Sequence, residues 1–591
     1  MGSSDVYRLN LDKFSSFFKF AVIIVGILVI FAIVPNSFAI SIVGAAFSFF
    51  WFIARTKNDK YFDKIKNPNN FRNLMIVWTI VVTIAACFHA YLRHVSPGND
   101  LSWFVQAITN ASIGENLRVT SEREINLLVQ HWEPILYSVI PLTFLFNGSI
   151  SIVLWQGLAY IGGAIAAWKI SNFLFKDAAL KSLKYLTTIL YLLAWLNVNP
   201  LMFDAHPPVF GTLLIVPWIF YFILTKRSSY LIILLSLILM QCGEIFLAIS
   251  PVFIIYCILR NKITKFKIIF SVLIFCSGFL LIGAYQRYFG PWITGDPFPF
   301  AYRYSSIGGD GIGILKTFLS DPFLVLSQLF TIGKIKTVLK IFLYCGPFAF
   351  FAVLSRKYRV IAICLAPACL PYLIQGGLSQ GMETSFHYVS SIGSIWWLLT
   401  VIGIYYVVFE TKENSKLIFI KKLVFNKQKI IPFFMILFFL NTSEWRKSLL
   451  YPFRAIVDRD NLKSEVRTYL TSIPRDKGVV FAGPEWLCPL SADYRKWLLC
   501  KGYGFPNRIL PKMPLDVIVS SKEGLLDIYN NLDSQLKNGN SGRVIHALIQ
   551  NNPESVGWRK VGAYAQNAEP ITSKLKDIRE FTIWEKIDSL H

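Results

Sequence analysis

Charge is scarce in this sequence. Asp, Glu, Lys and Arg together make up 16% of its 591 residues, against roughly a quarter in a soluble globular chain, which excludes an ordinary water-solvated fold. Acid is scarcer than base, with 35 Asp and Glu against 59 Lys and Arg, and there are only 7 His. A charge at a membrane centre costs roughly 2.5–3.5 kcal/mol on insertion scales, so an acidic group bordering an apolar run marks a cavity or a partner. The nine cysteines show no metal-ligand spacing. Cys87, Cys242, Cys257, Cys276, Cys345, Cys364 and Cys369 lie in or beside apolar runs, as small packing residues do. Cys488 and Cys500 fall in a polar C-terminal region, where a disulfide between them and two free thiols are both open readings. There is no internal repeat and no low-complexity tract, and no small-residue cleavage site follows the first apolar run, which therefore reads as half of a signal-anchor hairpin.

Apolar residues dominate instead, at 54% with a further emphasis on aromatics at 16% and a mean hydropathy of +0.49. Phe18 to Val34, Leu74 to Leu92, Ile268 to Ala284 and Val389 to Val408 approach or reach the roughly 20 residues that cross a bilayer. Spans are expected at 18–35, 38–54, 73–92, 150–169, 182–199, 208–225, 229–243, 245–259, 268–286, 338–355, 360–378, 389–408 and 429–442. Ile135 to Phe146 is too short to span and is expected along the interface or as a re-entrant helix. The net charge of +24 does not imply nucleic acid, because the cations sit in short inter-span segments, as the positive-inside effect requires. Arg55 to Arg72, Lys169 to Lys181, Lys226 and Arg227, Arg260 to Lys267, Arg356 to Arg359 and Lys412 to Lys429 all fall on one side when spans alternate.

The expected fold is an α-helical polytopic inner-membrane protein of about thirteen transmembrane helices, its N-terminus cytoplasmic, with a small C-terminal extracytoplasmic α/β domain. The expected divisions are an N-terminal hairpin and cytoplasmic loop over 1–72, a transmembrane core over 73–442 with external loops 93–149 and 287–337, and the α/β domain over 443–591. In the last, Lys477 to Ala482, Leu515 to Ser520 and Phe581 to Trp584 read as strands, and Gly524 to Leu536 and Val544 to Gln550 as helices.

This topology puts Asp100, His131, Asp204, His206, Glu244 and His387 on one membrane face. Singly, each has a plain structural reading: Asp100 and Asp204 as turn residues, the histidines as hydrogen-bonding supports. Glu244 interrupts the apolar run from Tyr230 to Leu259 with no cationic neighbour in sequence, so it must face protein or water. Arg93, Arg287, Arg303, Lys334 and Lys336 fall on the same face. Carboxylates beside such cations suit a phosphate and a hydroxyl that is to lose its proton.

Asn99-Asp100-Leu101-Ser102-Trp103-Phe104-Val105-Gln106, His131-Trp132-Glu133-Pro134, Trp155-Gln156, Asp204-Ala205-His206-Pro207, Glu244, Arg303-Tyr304 and His387-Tyr388 recur in that order. In this the chain resembles the prokaryotic membrane proteins grouped as domain of unknown function 2079, related in architecture to the GT-C glycosyltransferases. The resemblance runs from about residue 73 to about 520. It implies transfer of a sugar from a polyprenyl-phosphate donor to a glycan, lipid or protein acceptor on the extracytoplasmic face, with Asp100 as general base and inversion at the anomeric carbon. Gln106, His131, Asp204, His206, Glu244, Arg303, Tyr304 and His387 are the candidate substrate-binding residues, Arg303 at the departing phosphate. Two departures bear on cofactors. Val105 stands where the family often has a second acid, and Gly243-Glu244-Ile245 replaces a Lys-Glu-Asp-like triplet, so no divalent metal is supported. A lipid or polysaccharide transporter also needs intramembrane polar residues, but no inverted repeat is evident. A third reading makes the spans a scaffold for a glycan- or partner-binding C-terminal domain.

Overall fold

The computed structural model describes residues 68–88, 100–120, 125–176, 181–194, 197–198, 200–201, 205–226, 228–259, 264–289, 291–292, 305–309, 311–329, 347–358, 362, 393–410, 464–474, 476–483, 487, 497–500, 510–568 and 577–587. The spans expected at 18–35, 38–54, 360–378 and 429–442 lie wholly or almost wholly outside them.

The first described helix, α1 (Pro68–Phe88), is followed by α2 (Asp100–Ser112) and by a minimal hairpin of β1 (Arg118–Val119) and β2 (Ile125–Asn126). The chain then turns through a one-turn helix, Leu127–Gln130, and a 3-10 turn, Pro134–Val139. Five long helices carry it on: α3 (Gly148–Leu174), α4 (Lys181–Leu193), α5 (Pro207–Leu224), α6 (Ser229–Leu239) and α7 (Glu244–Leu259). Next come α8 (Lys265–Ala284), prolonged by a wide turn Tyr285–Phe289, the short pair α9 (Gly311–Ser320) and α10 (Pro322–Leu329), and α11 (Gly393–Tyr405), prolonged to Glu410.

Among the described residues, 4 helices are long and apolar enough to cross a membrane, namely Gly148–Leu174, Pro207–Leu224, Lys265–Phe289 and Gly393–Glu410. The 27 residues of α3 rise about 40 Å at 1.5 Å each, more than the roughly 30 Å of hydrocarbon. The stretch expected to lie along the interface, 135–146, is a 3-10 turn and one helical turn, Ile140–Thr143, whose end exposes Phe144, Leu145 and Phe146. Along α8, Ile268, Ile269, Val272, Leu273, Leu280 and Leu281 are exposed, an apolar face suited to lipid.

The bundle core is tied together at Gly163. A Cβ there would overlap the Leu213 carbonyl and the Tyr191 hydroxyl, so glycine alone lets α3 approach the wide turn Gly211–Ile215 of α5. Across this contact Tyr191 Oη donates to the Leu213 carbonyl at 2.7 Å.

Helix α12 (Ser464–Ser472) leads into a sheet of β3 (Gly478–Ala482), β4 (Trp497–Cys500) and β5 (Val517–Ser520). The chain continues through α13 (Lys522–Asn531), α14 (Ser534–Asn538) and α15 (Asn540–Ile549) to the hairpin β6 (Trp558–Ala568) and β7 (Asp577–Lys586). The strand order is β4-β3-β5-β7-β6, parallel over the first three and antiparallel beyond. The single helix expected over 524–536 is two, because Asp533 leaves the helix and its side chain accepts from Leu536 N at 2.8 Å, starting a new one.

The alternation of strand side chains gives the sheet two buried faces. Val480, Ala482, Leu499, Ile518 and Trp584 pack with Leu525, Ile528, Val544, Ile545 and Leu548 of α13 and α15. Val479, Phe481, Leu498, Val517, Val519, Phe581 and Ile583 belong instead to the one hydrophobic cluster that runs through the helix bundle. The sheet is therefore built onto the bundle and shares its core.

Candidate functional site

The two ends of the bundle differ in chemistry. At one, where α3, α5 and α11 finish and α4 begins, Lys169 Nζ lies 5.5 Å from the ring centre of Tyr221, Lys184 Nζ 5.3 Å from that of Trp168, and Lys357 Nζ 5.1 Å from that of Tyr358. There the Glu410 carboxylate accepts from the Ser355 hydroxyl at 2.9 Å and from the backbone N–H groups of Arg356 and Lys357. Cations over aromatic rings are the usual furniture of a membrane interface.

The other end holds the polar residues singled out in the sequence. Helix α2 begins at Asp100. Phe104, one turn on and on the same helix face, meets the His206 ring edge-on at 5.2 Å between centres. His206 is 5% exposed and caps α5, where the Pro207-Pro208 pair fits the first turn because its missing N–H groups need no partner there. Its backbone N–H donates to Gln156 Oε1 at 2.8 Å, while Gln156 Nε2 donates to the Pro200 carbonyl at 3.3 Å. A single buried amide on α3 thus holds both sides of the link that contains Asp204. One residue earlier, Trp155 stacks on Phe210 with ring centres 3.8 Å apart and donates through Nε1 to Ser138 Oγ at 3.0 Å. The Trp155-Gln156 dipeptide therefore fixes the 134–139 turn and the His206 link together.

Glu244 starts α7 and finds its partner in the first loop. Its Oε1 lies 3.2 Å from His131 Nδ1 and accepts from Trp132 N at 3.3 Å. An ionised carboxylate only accepts, so the bond to His131 puts a proton on Nδ1. Gly243, with φ of 141°, takes a backbone conformation that favours glycine. A Cβ there would stand 3.1 Å from Pro208 Cγ, so this turn lies against the residue two past His206. Tyr285 closes the group, its hydroxyl donating to the Leu128 carbonyl at 2.9 Å and its ring edge-on to Trp132 at 6.0 Å. Glu133, 3% exposed, lies close enough to act electrostatically on Cys242 and, together with Glu244, on Tyr285.

His131, His206 and Glu244 are thus gathered at one end of the bundle, with the start of α2 one turn from His206. The side chain of Asp100 and all of Asp204, Arg303, Tyr304, His387 and Cys488 lie outside the described residues. Gln106, expected at the substrate, lies on α2. It is fully buried, its Nε2 donates to Thr120 Oγ1 at 2.8 Å and its Oε1 accepts from Thr120 N at 2.9 Å, so both ends of the amide are engaged within the protein. Glu133, Gln156 and Tyr285 were not singled out. Glu133 and Gln156 stand within the short motifs, and a buried Gln inside an apolar run is itself a signal; nothing near Tyr285 in sequence marks it. Among the described residues, no group of three or more His, Cys, Asp or Glu is placed to hold a metal ion.

A bundle of apolar helices with a polar site at one end defines a polytopic membrane protein. The chain belongs to the family described as predicted membrane protein DUF2079, whose model matches residues 93–503. No curated protein matches the sequence. Among solved structures it is similar to ArnT from Cupriavidus metallidurans in the apo state, at 11% identity and a TM-score of 0.43, over 78% of this chain and 95% of that one.

Proposed function

We propose that this protein is an integral-membrane glycosyltransferase that moves a sugar from a polyprenyl-phosphate donor to an acceptor hydroxyl at the extracytoplasmic face of the inner membrane. The observation that carries this reading is the gathering of the α2 start, the His206 link and the His131–Glu244 pair at one end of the bundle, opposite the end where lysines lie over aromatic rings. The positive-inside effect makes the lysine end cytoplasmic and the site end the one reached by an exported lipid-linked sugar.

The reaction is one displacement. The acceptor oxygen forms a bond to the anomeric carbon as the bond from that carbon to the phosphate oxygen breaks, and the electron pair leaves with the polyprenyl phosphate. Asp100 takes the acceptor proton, and attack opposite the leaving group inverts the configuration. Arg303 stabilises the charge developing on the phosphate. His206, Asp204 and the His131–Glu244 pair orient acceptor and sugar, with Tyr304 and His387 completing the binding groups. The donor lipid reaches the site from the bilayer.

The test is transfer by purified protein in liposomes supplied with synthetic polyprenyl-phosphate sugars and a lipid, glycan or protein acceptor fraction. Asp100→Asn is expected to lower transfer by about 10²- to 10⁴-fold, the usual contribution of a general base. Neither transfer nor donor hydrolysis by the wild type overturns the reading. Loss of labelled-lipid movement across the membrane in Asp100→Asn, without any transfer in the wild type, replaces it with transport.

A further inference from the structure

One side chain joins the helix that begins at Asp100 to a strand nearly four hundred residues away. Thr120 Oγ1 accepts from Gln106 Nε2 at 2.8 Å and from Leu498 N at 3.0 Å, and donates to the Leu498 carbonyl at 3.1 Å. The Thr120 backbone N–H returns to Gln106 Oε1 at 2.9 Å. Gln106 and Thr120 are both 0% exposed, as is Leu498. A hydroxyl has one proton to give and two lone pairs to offer, so all its capacity is used.

Leu498 lies on β4, an edge strand of the sheet among the described residues. An edge strand presents a row of unpaired N–H and C=O groups, and here the Thr120 hydroxyl answers one N–H and one C=O of the same residue. The Leu498 side chain meanwhile points into the hydrophobic cluster that continues through α2 and the bundle. The sheet thus grips α2 through two buried connections, a hydrogen-bonded clasp and a shared core. Gln106 stands six residues along the helix from Asp100, fewer than two turns.

We infer that Gln106 and Thr120 are positioning residues, through which the C-terminal sheet holds α2, and with it Asp100, in register with the acceptor; the catalytic part of this inference rests on the glycosyltransferase reading above. A base must approach to within hydrogen-bond distance of the proton it takes. Burial keeps water from replacing a lost clasp bond, so a change at Thr120 has to be absorbed by movement of α2 or of β4.

The test uses the full-length protein with Thr120→Val, which keeps the shape and removes the hydroxyl, and Thr120→Ser, which keeps the hydroxyl. Hydrogen–deuterium exchange over residues 100–112 needs no substrate. Faster exchange in Thr120→Val, with Thr120→Ser close to wild type and α3 unchanged, is the expected result. With polyprenyl-phosphate sugar and an acceptor fraction, Thr120→Val is expected to lower kcat by about 100-fold, the scale of a 1 Å misplacement. KM for donor and acceptor should stay within about twofold, since binding groups shared by ground and transition states are untouched, and Thr120→Ser should restore kcat. Gln106→Met keeps the side-chain length, removes both ends of the amide and gives the same pattern by a second route if Thr120→Val does not accumulate. Unchanged exchange over 100–112 in Thr120→Val and in the Gln106 variant overturns the clasp. Faster exchange with wild-type kcat, or a loss confined to KM, overturns the positioning role. A wild type that exchanges as expected yet transfers no sugar overturns the function proposed above and the catalytic role with it, leaving the mechanical link established.

Discussion

Glu244→Ala removes one carboxylate from two donors at once. Glu244 Oε1 accepts from His131 Nδ1 at 3.2 Å and from Trp132 N at 3.3 Å, and it lies in the first turn of its helix. Counting only the shorter bond, to His131, at the roughly 1.5–3 kcal/mol net of a hydrogen bond to a charged group, and a carboxylate near a helix N-terminus at about 0.3–1 kcal/mol, the two terms give about 2–4 kcal/mol. The two side chains keep 22% and 20% of their surface exposed, so water offsets part of the loss and about 2–3 kcal/mol is expected. Glu244→Gln leaves an oxygen in the same place without its charge and should cost only about 1 kcal/mol. Unfolding of the purified protein in mixed micelles by added SDS measures both. A double-mutant cycle with His131→Ala should show a coupling of about 1 kcal/mol or more. A Glu244→Ala cost below about 0.5 kcal/mol, or additivity with His131→Ala within about 0.3 kcal/mol, refutes the view that this pair pins the first loop to α7.

Two further substitutions probe the scaffold. Gly163→Ala places a methyl group against the Leu213 carbonyl and the Tyr191 hydroxyl; α3 and α5 must separate, at a cost of about 1–3 kcal/mol or more, seen as a lowered thermal midpoint in detergent. Asp516→Ala strips the buried Gly478 N–H of the acceptor it meets at 2.9 Å. The expected loss is about 1–3 kcal/mol, with faster amide exchange in Gly478–Ala482 while α3 keeps its protection.

Much of the architecture could be read along the chain, because its signals are local. Length and hydropathy marked 150–169, 208–225, 268–286 and 389–408, and each overlaps a long apolar helix, Gly148–Leu174, Pro207–Leu224, Lys265–Phe289 and Gly393–Glu410. Strands β3, β5 and β7 overlap the runs expected from their β-branched and aromatic residues. Strand β4 is not expected from the sequence, because four apolar residues are too few to show a strand's period, nor is β6, where Trp558, Val561 and Tyr564 stand among Arg, Lys, Gly, Ala, Gln and Asn without a sustained alternation.

The site divides in the same way. The sequence alone determined which residue types stand at the ends of apolar runs, because burying charge in lipid is costly wherever it occurs. It also determined the family, through short motifs whose order survives any folding. Only the tertiary structure decided who meets whom. Glu244 is 113 residues from His131, and Thr120 is 378 from Leu498. A hydrogen bond depends on distances of about 3 Å and on angle, and no pattern of neighbours in sequence encodes those across separate helices. For the same reason nothing in the sequence disclosed that the Gln106 amide bonds at both ends to Thr120, or that one face of the C-terminal sheet packs in the cluster that runs through the bundle.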